Sequence, residues 1–293
     1  FTTTIAGVFW ANKDPYQLDN FSTGLTYSVL ILLVISTHEF GHYFAARYHK
    51  VPVTLPYYIP FPFIFLNPFG TMGAVIRMKS RYYSRKALLD IGAAGPIAGW
   101  ITSVIILIIG FINLPSIYFL YDLHPEYRST GIPLSGFTFG YNIIFLAFEK
   151  IFASSPGVFM PPMNEVYHYP FLCVGWFGLL ITSLNMLPVG QLDGGHISYA
   201  MFGDKHKYVA YFIFALLVIF GLLGLLPLIG INSNIGSINW LIWAGLIFFV
   251  IRIKHPETYY EGEEPLDSKR MLIGWFTYFI FVVSFCPVPV FEA

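Results

Sequence analysis

The sequence predicts an all-α polytopic membrane protein of about six transmembrane helices, with a small membrane-associated β-hairpin or edge strand after the first. Three observations carry that expectation. Of 293 residues, 56% are hydrophobic and 11% charged, whereas a soluble domain is about a quarter charged. Mean hydropathy is +0.65. Apolar runs able to cross a hydrocarbon core of about 30 Å fall near 22–47, 87–113, 168–187, 208–230 and 271–290, with a shorter one at 238–253.

Taken in order, residues 1–20 form an extracytoplasmic lead-in, and the first run contains His38-Glu39-Phe40-Gly41-His42. Between the first two runs, 51–69 is apolar but carries Pro52, Pro56, Pro60, Pro62 and Pro68, which exclude a regular helix. Irregular backbone survives in a membrane only against protein or a wet cavity, so this segment is expected to line the site. Gly70 to Met78 follows as a short β-like run. It is either an edge strand able to receive an extended peptide or a tight hairpin that only packs against helices.

The second run opens at Asp90, expected to pair with Arg85 or Lys86. Its Gly92, Gly95 and Gly99 suit close helix packing. Residues 137–152 read as an interfacial helix or a half-span, and 254–270 as a solvated cytoplasmic loop. Cys173 and Cys286 each stand alone in apolar sequence, which predicts buried free thiols. The 16 basic and 16 acidic side chains balance, so there is no basic face for nucleic acid. If the first helix ends in the cytoplasm, only Lys13, Arg128 and Lys150 of the 16 Lys and Arg lie outside. Positive charge is retained inside, which sets the orientation. It also puts residues 1–20 outside, from which a further helix upstream of Phe1 is expected.

His38 and His42, four residues apart, share a helical face and can direct both rings at one metal, with Glu39 beside them as general base. The alternative is a pair of buried histidines hydrogen-bonded in the bundle. Ionisable groups inside a membrane span cost a few kcal/mol each unless compensated, which favours the metal. Two histidines leave a zinc ion short of a third protein ligand. Asn185-Met186-Leu187-Pro188-Val189-Gly190-Gln191-Leu192-Asp193-Gly194-Gly195-His196 supplies the candidate. Pro188 and the glycines break the helix, so Asp193 can project from an irregular turn at the same depth. His196 is an alternative ligand or a hydrogen-bond partner to one. Asn185 either donates to the substrate carbonyl or caps the broken helix.

His38-Glu39-Phe40-Gly41-His42 followed about 150 residues later by Asn185-x-x-Pro188-x-x-x-Leu192-Asp193-Gly194 resembles the site-2 protease family of intramembrane zinc metalloproteases. Gly70 to Gly73, Ser80-Arg81 and Ala94-Gly95-Pro96 are similar to the core of its compact members, which lack a peptide-binding insert. The resemblance covers roughly 22–200, the expected catalytic core, and leaves the helices over 201–293 without a matching motif. It implies one zinc ion per chain held by His38, His42 and Asp193, with Glu39 as the catalytic acid/base. It further implies cleavage of a transmembrane protein substrate within or near the bilayer. Gly73, Ala74 and Val75 are the candidate substrate-binding strand. The cell (inner) membrane is the expected location, an organelle membrane the second choice, with the site toward the cytoplasmic side. The competing readings are a metal-ion transporter and an inactive binder of membrane proteins. Apart from Glu39 and Asp193 no Asp or Glu lies well inside a run, so no ion path continues outward, and an intact Glu39 disfavours the inactive binder.

Overall fold

The computed structural model describes residues 1–63, 67, 69–78, 84–153, 157–231, 235–256 and 265–292. Lys79, Ser80, Arg81, part of the proline-rich loop and residues 257–264 of the 254–270 loop lie outside the described residues. In chain order the elements are α1 (Thr2–Trp10), α2 (Leu25–Tyr48), β1 (Tyr57–Pro60), β2 (Thr71–Val75) and α3 (Arg85–Ile112). Next come α4 (Tyr118–Leu123), α5 (Tyr127–Thr130), β3 (Phe137–Phe139), α6 (Ile143–Phe152) and α7 (Pro170–Asn185). The chain closes with α8 (Asp193–Phe202), α9 (His206–Leu223), α10 (Asn239–Leu246), α11 (Ser268–Ser284) and β4 (Val290–Glu292).

Three helical stretches are long and apolar enough to cross a membrane: Leu18–Tyr48, Arg85–Ile112 and Asp193–Ile229. Pro170–Asn185 and Asn239–Ile251 are apolar but shorter. The 271–290 run is helical only to Ser284, since Pro287 and Pro289 cannot continue a helix, and the chain ends extended. The protein is therefore a helical membrane protein built on α2, α3 and α7.

Residues 1–20 are more than a lead-in. α1 packs beside the start of α2, with Ala6, Val8 and Trp10 buried and Thr3 Oγ1 2.6 Å from Ser28 Oγ. The 137–152 stretch is not one helix. It opens as β3, which pairs antiparallel with β4 in the register Thr138↔Phe291. Only then does α6 start, where the Asn142 side chain accepts from the Phe145 amide at 2.9 Å. The Phe139 and Trp176 rings stack at 4.5 Å in the core beneath, and the Trp176 indole N–H donates to the Gly140 carbonyl. Cys173 and Cys286 are both buried free thiols, as expected.

β1 and β2 form an antiparallel two-stranded sheet with Tyr57↔Val75, Tyr58↔Ala74 and an irregularity before Pro60↔Thr71. Tyr58 Oη lies 2.6 Å from Ser36 Oγ, which fastens the hairpin to α2 two residues before the His-x-x-x-His pair.

Asp90 has partners other than those nearest in sequence. Arg270 Nη2 lies 2.7 Å from Asp90 Oδ2, and Nε donates at 3.0 Å to both carboxylate oxygens. His49 Nε2 sits 2.8 Å from the same carboxylate. Arg85 instead donates from Nη2 to the Met201 carbonyl at 2.9 Å and from Nε to that of Ala200. The physical reason is reach: a planar fork entering from α11 can bind a carboxylate side-on, whereas Arg85 sits at the helix start facing the unpaired carbonyls that end α8. Asp90 thus joins the ends of α2, α3 and α11. Replacing Arg270 with Ala should lower stability by about 1–3 kcal/mol, read as a lower thermal midpoint in detergent; an unchanged midpoint would show that the junction contributes nothing.

Candidate active site

His38, Glu39 and His42 lie on the second half of α2, and both imidazoles turn toward α3. Gly95 and Gly99 provide the room. A Cβ on Gly95 would overlap the His42 ring, and one on Gly99 would press on His38 at 3.2 Å. The glycine row expected to serve helix packing is therefore also the floor under the two rings.

His42 Nδ1 lies 2.7 Å from the Ile91 carbonyl oxygen. A carbonyl only accepts, so Nδ1 carries the proton and Nε2 presents a lone pair. That Nε2 is 3.1 Å from His38 Nε2, and Asp193 Oδ2 is 3.3 Å from each of them. Ligand atoms around tetrahedral zinc with bonds of about 2.0–2.1 Å stand about 3.3 Å apart. The three donor atoms form a triangle of that size, and the residues fit the ion. His38 and His42 are only 6% and 7% exposed, so their inward nitrogens depend on the groups gathered here rather than on water.

Asp193 reaches this point because α7 stops at Asn185 and the chain turns before α8 begins. Gly190 makes the turn possible. Its φ is +52°, and a side chain there would collide with the backbone of Ile251 and Arg252. The Gly190 amide donates to the Ile253 carbonyl at 2.9 Å, pinning the turn to the segment after α10. Asp193 then stands in the first turn of α8, where the helix dipole favours a carboxylate.

A cavity of about 440 Å³ opens onto the triangle, lined by His38, Glu39, His42, Asn185, Asp193 and His196 from the helices and by Met72 to Ile76 from the hairpin. The sequence-predicted residues Gly73, Ala74 and Val75 thus stand at the site. Glu39 faces them across the cavity, with Ile76 on the same wall as the strand. Asn185 Nδ2 is 3.4 Å from His38 Nε2, so its amide points to the metal position rather than capping α7.

His196 lines the cavity but is not one of the three convergent donors. Its Nδ1 lies 2.6 Å from His255 Nε2. His255 Nδ1 is engaged by the Pro256 carbonyl, so His255 Nε2 accepts and His196 Nδ1 donates. Burial, with His196 nearby, holds the His255 pKa down at about 3. His255 is therefore a neutral acceptor at any ordinary pH. Neither this buttress nor Ile76 on the cavity wall had a motif to announce it. The spacing of Gly95 and Gly99 was the one legible sign of the ring floor.

The model of peptidase family M50 matches residues 26–228 of this chain. Among similar curated proteins is a rice (Oryza sativa subsp. indica) protein named probable zinc metalloprotease EGY2, chloroplastic. It is 29% identical over 236 residues, 80% of this chain and 38% of that protein. The Arabidopsis thaliana protein of the same name is 26% identical over 274 residues, 93% of this chain and 43% of its own length. Probable zinc metalloprotease EGY1, chloroplastic, of Arabidopsis thaliana is 32% identical over 193 residues, 62% of this chain and 30% of that protein. The chain thus spans about two fifths or less of these relatives. No solved structure gives a significant match. With the family's model covering more than half of its length, the chain belongs to peptidase family M50, the site-2 protease family.

Proposed function

We propose that this chain is a zinc-dependent metalloprotease acting as an intramembrane endopeptidase. It hydrolyses a peptide bond in or near the transmembrane segment of a membrane-protein substrate, as a step of regulated intramembrane proteolysis. The observation that carries the reading is the triangle of His38 Nε2, His42 Nε2 and Asp193 Oδ2, set about 15 Å inside the end of a membrane-crossing helix and open to a strand. His38, His42 and Asp193 hold the zinc, which supplies Lewis-acid activation of water and of the scissile carbonyl.

The chain's own residues do the rest. Glu39 takes the proton of the attacking water and returns it to the leaving amine. The Asn185 amide donates to the carbonyl oxygen as negative charge develops there. A transmembrane helix hides its carbonyls in hydrogen bonds, so the substrate must unwind. The edge of β2 over Gly73, Ala74 and Val75 receives it extended and sets the scissile bond against Glu39. The proline-rich loop over 51–69 is the gate to this edge.

Six crossings belong to the same proposal: α2, α3, α7, α9, α10 with the turn after it, and α11. The site opens toward the side where Lys and Arg concentrate. The chloroplastic names of the relatives add weight to an organelle membrane beside the cell membrane as its location.

The test is cleavage of a membrane substrate by purified protein, with bound zinc measured in parallel. Glu39→Gln should keep its zinc and lose activity by about 10²–10⁴-fold; undiminished cleavage would refute the proposal. Asp193→Ala should lower zinc occupancy, and full occupancy would remove it from the ligand set. Gly95→Ala should push the His42 ring aside, so zinc occupancy falls while the protein still folds. Occupancy equal to the unaltered chain would show that the ring is not held by this floor.

A further inference from the structure

At the other end of α7 from Asn185, about 25 Å along the helix, a second group of side chains repeats the donor geometry of the active site. His124 follows α4, while Glu165 and His168 sit in the turn that leads into α7. One nitrogen from each ring and one Glu165 oxygen lie within 4.8 Å of one another.

The hydrogen bonds fix the protonation of both rings. His168 Nδ1 is 2.9 Å from the Trp10 carbonyl oxygen, which only accepts, so Nδ1 bears the proton and Nε2 a lone pair. His124 Nδ1 is 3.2 Å from Glu126 Oε1, a carboxylate that also only accepts, which leaves His124 Nε2 with its lone pair. The two Nε2 atoms nevertheless face each other at 3.1 Å. Two lone pairs at that distance repel unless a cation lies between them. Glu165 Oε2 stands 3.4 Å from His168 Nε2. Glu165 is 1% exposed, and this oxygen is buried without a hydrogen-bond partner among the described residues. Its other oxygen accepts from the Tyr127 hydroxyl at 2.9 Å, which orients the carboxylate. A buried carboxylate oxygen with no donor, aimed at two imidazole lone pairs, lacks only a positive charge.

We propose that His124, Glu165 and His168 form a second, structural zinc site, separate from the catalytic one. Two imidazoles and a carboxylate are a borderline donor set that suits zinc over calcium or magnesium, whose preferred ligands are all oxygen. The Asn12 side-chain amide nitrogen lies 3.4 Å from His124 Nε2, at the edge of this cluster. A metal here fastens three segments: the end of α1 through Trp10, the α4–α5 connection through His124, and the entry to α7 through Glu165 and His168. It thereby fixes the segment before α2 on the face away from the catalytic triangle.

Zinc content of the purified full chain, equilibrated with zinc in detergent and freed of excess, tests this. About two equivalents per chain are expected, about one in Asp193→Ala, about one in His124→Gln, and close to none in the double variant. His124 is the most exposed of the three, so its replacement disturbs packing least, and Glu165→Gln is a shape-conserving second variant that should lose the same equivalent. Zinc should also raise the thermal midpoint of Asp193→Ala protein and leave that of the double variant unmoved. The competing arrangement is a proton shared between the two rings. It predicts one equivalent in the unaltered chain and no effect of His124→Gln on zinc content, and either result overturns the proposal. If Asp193→Ala keeps all its zinc, the catalytic ligand set is wrong, while the loss in His124→Gln still reports on this site alone.

Discussion

Everything in the bundle is arranged around the cost of placing two imidazoles and two carboxylates inside a membrane-crossing body. Each such group is unfavourable there by several kcal/mol unless a partner is supplied. The partners come from elements far apart in sequence: α3 gives the Ile91 carbonyl to His42 and an uncluttered floor at Gly95 and Gly99, and the break after α7 gives Asp193. α2, α3 and α7 pack as they do because the site is the polar centre of their common interface. The apolar residues around it, such as Val34, Ile35 and Ile91, are buried in the same contact.

The turn that delivers Asp193 also gives a place to helices that no motif identifies. Gly190 is tied to Ile253, and His196 to His255, so the segment after α10 braces the irregular chain on both sides of Asp193. The His255 ring is in turn stacked on Tyr199 at 4.6 Å, and its backbone amide donates to His206 Nε2 at 2.9 Å. A loop that presents a metal ligand at fixed position needs such bracing, since a misplacement of about 1 Å is enough to spoil a catalytic geometry. α9 and α10 are thus extensions of the site's scaffold.

What was legible in the sequence is what is local. The helical repeat puts His38 and His42 on one face, and Pro188 with its glycines announces a break near Asp193 and His196, between which the family resemblance pointed to Asp193. The long apolar runs gave α2 and α3 for the same reason. What could not be read is what depends on encounters between distant segments. Asp90 has basic residues four and five positions away, yet its carboxylate is taken by Arg270 across the bundle, because side-on geometry decides such pairs and sequence proximity does not. β3 is three residues long and exists only because the chain end returns to pair with it. Of His124, Glu165 and His168, the last two stand three residues apart in one turn, but His124 comes from a separate loop, so no local spacing joins all three.

The hairpin links chemistry to substrate conformation. Glu39 lies on α2, Ser36 of the same helix holds Tyr58 of β1, and Ile76 just beyond β2 lines the same cavity as Glu39. A shift of the strand therefore moves the wall that faces the proposed acid/base. A substrate that pairs with β2 would be read by the same backbone that faces Glu39, so an intact helix, which offers no free amides or carbonyls to a strand, would fail at the docking step before reaching the metal. Selection for unwound segments then follows from backbone hydrogen bonding, independent of side-chain pockets. That fits a cavity whose strand side is lined by Met72, Gly73, Ala74, Val75 and Ile76, residues with little to distinguish one substrate side chain from another.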